Sequence, residues 1–301
     1  MTTLRSEILQ LGRRLVVLSE ELGSDEAAVR YAAHECGKGL KETEAAIIDG
    51  DLRFAIRWAK CGFPQIVTPH KLAASFMATS VSADAVCDVV FPWPTFVVTI
   101  HTGMIQIFSA TGSAWEPQAA WICPSGNGHQ LLLRSEKGSV IIREIASASD
   151  LAIKASFDLH IPEGDAVVGN MTDVFAHNER ALLLVSRLVL GACIELDRPK
   201  HREVIGRGRP VARTRKGRAG SDEPSAWTFS LTRDVRVDCR EWVVSYLRGE
   251  KGTKWAVQSL TRGHHKRQPY GPRSELRKWI HIEPHWRGDV DAPIAIRSHR
   301  L

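Results

Sequence analysis

Between Thr95 and Glu144 the chain repeats one pattern, a short apolar run followed by a tight polar turn. TFVVTI (95–100) is followed by HTG with Gly103, then MIQIF (104–108). AAWIC (119–123), the turn PSGNG, QLLLRS (130–135), the turn EKG and SVIIRE (139–144) continue it. Runs this short, joined by turns this short, pair antiparallel, because a parallel crossover needs a dozen or more residues. The expected element is an antiparallel meander with one face packed on helices, and KASFDL (154–159) is a candidate for one more strand. The turn 124–128 lacks the G-x-x-x-x-G-K-[ST] pattern and joins two strands, so it does not read as a phosphate loop. His101 and His129 fall at turn edges, where solvated histidines are the default.

The helices that such a sheet requires are visible on either side. Leu4, Ile8, Leu11, Leu15, Val16, Leu18 and Leu22 draw a helical stripe. Gly23-Ser24-Asp25 ends that helix, Ser24 can cap the next, and Asp25 and Glu26 suit the positive end of its dipole. Residues 26–36 and 39–60 read as further helices with breaks near Gly37 and Gly50. The outline over 27–48 is that of a helix-turn-helix, but its second helix, LKETEAAIIDGD, is acidic and would repel phosphate, so it reads as scaffold. Residues 170–196 are apolar nearly all round, which means a buried helix. Arg180 and Arg187 interrupt it and speak against a membrane span.

Charge divides the chain. From Lys200 onward there are 23 Lys/Arg against 11 Asp/Glu, a net +12, which leaves 17 against 23, or −6, for residues 1–199. A basic C-terminal third suits phosphate-rich partners, and the acidic remainder, or a separate protein partner, could mask it. The stretch 202–225 is rich in Arg, Gly and Pro and has no aromatic residue; it reads as a flexible basic linker. The expected organisation is α+β: a body of helices and antiparallel sheet over 1–199, a linker over 200–225, and a small α+β module over 226–301. In that module WTFSL, KWAVQSL, KWIHIEPHW and PIAIRS read as strands, CREWVVSYLRG as a short helix, and RGHHKRQPYGPRSELRK as a long polar loop.

The six cysteines, at 36, 61, 87, 123, 193 and 239, form no C-x-x-C and no disulfide framework, which suits a reducing cytoplasm. The N-terminal apolar run carries charges throughout and is not a signal peptide. No run of 18 apolar residues reads as a membrane span.

The chemistry is concentrated in 262–289, with four of the 12 histidines: His264, His265, His281 and His285. Arg262, Lys266, Arg267, Arg273, Arg277, Lys278 and Arg287 are suited to phosphates, and Trp279 and Trp286 offer faces on which bases stack; Tyr270 offers a third. Nucleic-acid binding, to RNA or single-stranded DNA, is the leading expectation. An alternative is metal-independent RNA cleavage by a ribonuclease or toxin, with His264, His285, Tyr270 and Glu283 as proton-transfer groups beside the cations. A second is a protein–protein module anchored by tryptophans. If 279–285 is one strand, Trp279, His281, Glu283 and His285 share a face, and H-x-E-x-H there could hold a metal, though the spacing matches no known signature. No cofactor is expected.

The pattern R-G-H-x-x-x-Q-P-Y-G-P, then W-I-x-I-x-P-H-x-R-G, resembles the C-terminus of a group of uncharacterised bacterial and phage- or plasmid-encoded proteins. Here it is carried by Arg262-Gly263-His264, Gln268-Pro269-Tyr270-Gly271-Pro272, Trp279-Ile280, Pro284-His285 and Arg287-Gly288. Trp227, Arg233-Asp234 and the FPWP run at Phe91 extend the likeness, which is close over the last 75 residues or so and loose before them. The resemblance implies a mobile-element or defence setting and no mechanism; His265 stands where members of the group often have an aromatic residue.

Overall fold

The first apolar stripe forms α1 (Thr2–Leu22), and the two further helices expected after it are α2 (Asp25–Cys36) and α3 (Glu42–Lys60). Gly50 does not break α3, which runs through it. Ser24 Oγ accepts from the Ala27 N–H, the expected cap of α2. In this computed structural model the described residues are 2–36, 42–80, 89–108, 114–125, 128–135, 138–145, 171–206, 228–235, 239–240, 243–244, 258–261, 263–287 and 294–295. The candidate strand 154–159 and most of the short helix 239–249 lie outside them.

The fold is α+β, and among the described residues its main sheet has seven strands. They are β1 (Gln65–Val67), β3 (Phe96–Thr99), β6 (Ala119–Ser125), β7 (Gly128–Ser135), β8 (Gly138–Ile145), β9 (Arg202–Gly206) and β10 (Thr228–Leu231). Their order is β8-β7-β6-β3-β1-β10-β9. The expected antiparallel run holds from β3 through β8. Two corrections apply to it. MIQIF is not the hairpin partner of β3; its last two residues form β4 (Ile107–Phe108), paired with β5 (Ala114–Trp115). Met104 and Ile105 are instead buried in the core. The sheet is also mixed, because β1 runs parallel to both β3 and β10.

Alternation along the strands sorts the core into two layers. Val97, Trp121, Cys123 and Leu132 face α1–α3, and Phe54 stacks on Trp121 with ring centroids 4.0 Å apart. Arg134 lies over the Trp121 ring and pairs with Asp51. Ile66, Val98, Ala120, Ile122, Leu131 and Leu133 face the other way, toward α4 (His70–Met77) and α5 (Met171–Leu196). Helix α5 is the expected buried helix. Its Arg187 is buried and donates to the Met77 carbonyl at the end of α4. Its Asn178 exchanges two hydrogen bonds with the Phe108 backbone. Among the described residues no helix is long and apolar enough to cross a membrane.

The sheet runs across the region expected to be a linker. Residues 202–206, placed there by composition, are the edge strand β9, antiparallel to β10. Their exposed side chains make the segment look like linker, while the ladder is made by backbone groups that composition does not register. Residues 207–227 lie outside the described residues. Strand β10, expected in a C-terminal module, sits between β1 and β9.

Candidate nucleic-acid interface

RGHHKRQPYGPRSELRK is not a loop. It forms β12 (Gly263–Tyr270) and, after a turn at Pro272–Ser274, enters β13 (Leu276–Ile282). The two pair antiparallel from His264↔Ile282 to Tyr270↔Leu276. Lys266 to Lys278 are all exposed, on both faces of the ribbon. A ribbon wet on both faces has no period-2 pattern, which is why the sequence reads as loop. The arm 263–282 carries Lys266, Arg267, Arg273, Arg277 and Lys278 against one acid, Glu275. Lys278 Nζ lies over the Tyr270 ring, 5.1 Å from its centroid, the diagonal pair that this register permits.

The foot of the arm is buried. Gly263 and His264 pair in parallel with β2 (Thr79–Ser80), which follows α4. A Cβ on Gly263 would come within 2.5 Å of Thr79 Oγ1 and 2.8 Å of Pro284 Cδ, so the strand can reach β2 only with glycine there. The Thr79 hydroxyl donates to the Ser75 carbonyl at 2.7 Å. Its one hydrogen being committed, it accepts from the Nε2–H of His281 at 2.7 Å. Nδ1 of His281 then accepts from Arg233 Nη1 at 3.3 Å. Burial, together with nearby His265, Arg233 and Arg198, holds the His281 pKa down to about 2, so the ring is neutral. His265, whose ring lies 5.3 Å from that of His281, is buried too, and burial followed by Arg198 and His264 lowers it to about 4. Neither nitrogen of His265 has a hydrogen-bond partner among the described residues.

Ion pairs fasten this foot to the body. Glu195, fully buried in the last turn of α5, receives Arg198 and Arg233, each at 3.4 Å, and His201. Arg233 also donates to Glu283 at 2.9 Å and to the His281 carbonyl at 3.1 Å. Arg198 donates to the Trp279 carbonyl at 2.6 Å. Five segments thus meet at one buried polar knot: α5, the turn after it, the residues after β10, β13 and the end of α4. Sequence reading missed Glu195, Arg198, His201 and Thr79; the signal available was the run DRPKHR directly after a buried helix.

The expected catalytic set is not brought together. His264 and Tyr270 are both exposed but six residues apart on one strand, roughly 20 Å along it at ~3.3 Å per residue. Glu283 is ion-paired with Arg233. His285 is exposed on β14 (His285–Arg287), which pairs with β11 (Gln258–Thr261) in another sheet, and its Nδ1 donates to the Glu283 carbonyl at 3.3 Å. The strand breaks at Glu283-Pro284, so the H-x-E-x-H alternation does not exist: His281 is buried and His285 exposed. Among the described residues no three His, Cys, Asp or Glu side chains gather as metal ligands would. Trp286 and Arg287 lie on β14 opposite Leu260 and Ser259. Arg262 lies outside the described residues.

A cleft of about 610 Å³ runs between β13 and the C-terminal end of α5, bordered by Lys200, Arg277, Lys278, Trp279 and Tyr270. A second cleft, of about 340 Å³, lies on the opposite layer between α1, α3 and the sheet, and buried Gln65 lines it.

No protein-family model and no curated protein matches the chain. A solved structure described as the crystal structure of AcrVA2 aligns with 93% of this chain and 92% of that one, at 11% identity and a TM-score of 0.41. A likeness that distant carries no argument about function.

Proposed function

We propose that this protein binds nucleic acid, with the β12–β13 arm as its principal contact. The observation that carries this reading is the burial pattern of the arm. A two-stranded ribbon anchored by a buried knot presents five cations and one acid to solvent on both faces. Ribbons of this kind fit a nucleic-acid groove, and each Lys or Arg that neutralises a phosphate releases a counterion. A solvated basic surface would not need so elaborate an anchor. A mobile-element setting is part of the proposal and rests on the C-terminal motif alone.

The test is a fluorescence-anisotropy titration of labelled RNA and DNA with the full chain at increasing salt. Four to five phosphate contacts give a slope of log affinity against log salt of about −3 to −5. Absence of salt-dependent affinity for every polynucleotide overturns the reading.

A further inference from the structure

We infer that the cleft between β13 and the end of α5 receives one unpaired nucleotide, so that the preferred polynucleotide carries a single-stranded segment or end. This rests on the reading above and specifies its substrate. The volume, about 610 Å³, falls within the range of small-ligand pockets, about 300–1,000 Å³. Its apolar lining comes from three places: Cys193 and Ile194 at the end of α5, Val89 and Val90, and Ile280 of β13. Trp279 adds an aromatic wall, with its backbone carbonyl held by Arg198. This lining suits a base, and base–aromatic contact tolerates any sequence.

The rim suits the phosphate. Lys200, Arg277 and Lys278 line the same cleft, and the last two belong to the arm, so a strand lying along the ribbon arrives at the cleft without leaving cationic surface. Arg198 and His201 also line it, but they are committed to Glu195. Asp197 is the acid among the lining residues. It disfavours a bare anion and suits a base that presents an amine. A blunt duplex keeps its bases stacked and paired and reaches only the arm; a frayed end or an overhang can place a base in the cleft.

The experiment compares three labelled DNAs of equal total phosphate number with the full-length protein: a blunt duplex, a shorter duplex with a 3′ or 5′ overhang, and a single strand. The overhang and the single strand are expected to bind about tenfold more tightly than the blunt duplex, the scale of one base–aromatic stack. Trp279→Leu is expected to remove that preference, costing the overhang and the single strand about tenfold more than the blunt duplex. Because Trp279 is half-buried, Lys200→Gln on the exposed turn is the second variant; it is expected to weaken the overhang and the single strand more than the blunt duplex, narrowing the preference. Inorganic phosphate is expected not to compete at concentrations where a mononucleotide does. Equal affinity for blunt and overhang DNA in the wild type, or a preference unchanged in both variants, overturns the cleft assignment and leaves polynucleotide binding in place. Failure of all three DNAs, and of matching RNAs, to bind overturns the reading on which it rests.

Discussion

Thr79 has one hydrogen to give, and giving it to Ser75 decides the state of His281. A neutral imidazole with Nε2–H follows, and its other nitrogen faces Arg233. The pH dependence follows in turn. The folded pKa of His265 is lowered to about 4 from the ordinary 6.5, so its contribution to stability is complete above about pH 6.5 and is lost as pH falls toward 4. His281 continues the loss at lower pH. Thermal melts are expected to show the melting temperature dropping below pH 6.5, with a shallower drop for His265→Phe; an unchanged slope in that variant would contradict the buried, neutral pair. Arg233 answers two carboxylates at once. Arg233→Met is expected to cost about 1–3 kcal/mol in urea unfolding, since Glu195 and Glu283 each lose a charged donor while Glu195 keeps Arg198 and His201. A cost under 1 kcal/mol would mean that the knot is not holding the arm.

Close approach governs the elements. Helices α4 and α5 cross where Gly191 meets Phe76, and an added Cβ would lie 2.6 Å from that ring. Gly191→Ala is expected to cost about 1–3 kcal/mol by calorimetry, the range for overpacking a filled core. Gly263→Ala is expected to act differently, detaching β12 from β2 and weakening polynucleotide binding more than global stability. The helices α1, α2 and α5 and the strands β6, β7 and β8 were legible in the sequence because their apolar periods are local. The β1–β10 pairing was not, since parallel partners far apart along the chain leave no local mark. Nor was the arm: polar residues on both faces and Pro269 inside β12 erase the alternation that identifies a strand.

For the whole molecule, the charge asymmetry points to the C-terminal third of the chain, but the division into body, linker and module does not describe how these strands pair. Strand β10 lies within the main sheet and β12 extends from β2, so a fragment starting at residue 200 would lack β1 beside β10 and β2 beside β12. Masking of the basic surface is therefore a question for the intact chain. Part of the acidic front is already spent on its own cations, with Glu26 and Asp49 on Arg53, Asp25 on Lys60 and Asp51 on Arg134. Of the residues that the sequence marked as phosphate-binding, Lys266, Arg267, Arg273, Arg277 and Lys278 lie on the arm and Arg287 on β14, whereas the acid–base set that it suggested is spread over two sheets.

Whether the arm is the contact can be measured by comparing two triple variants of the intact protein. One neutralises exposed arm cations (Lys266→Gln, Arg273→Gln, Arg277→Gln). The other neutralises exposed cations of the helical layers (Arg14→Gln, Arg30→Gln, Lys71→Gln). In a salt titration with a labelled oligonucleotide, the arm variant is expected to lose at least tenfold in affinity at low salt and to flatten the salt slope by about three, one for each cation removed. The helical variant is expected to match the wild type. Equal losses in the two variants, or an arm variant that binds with the wild-type slope, would contradict the assignment of nucleic-acid binding to the arm.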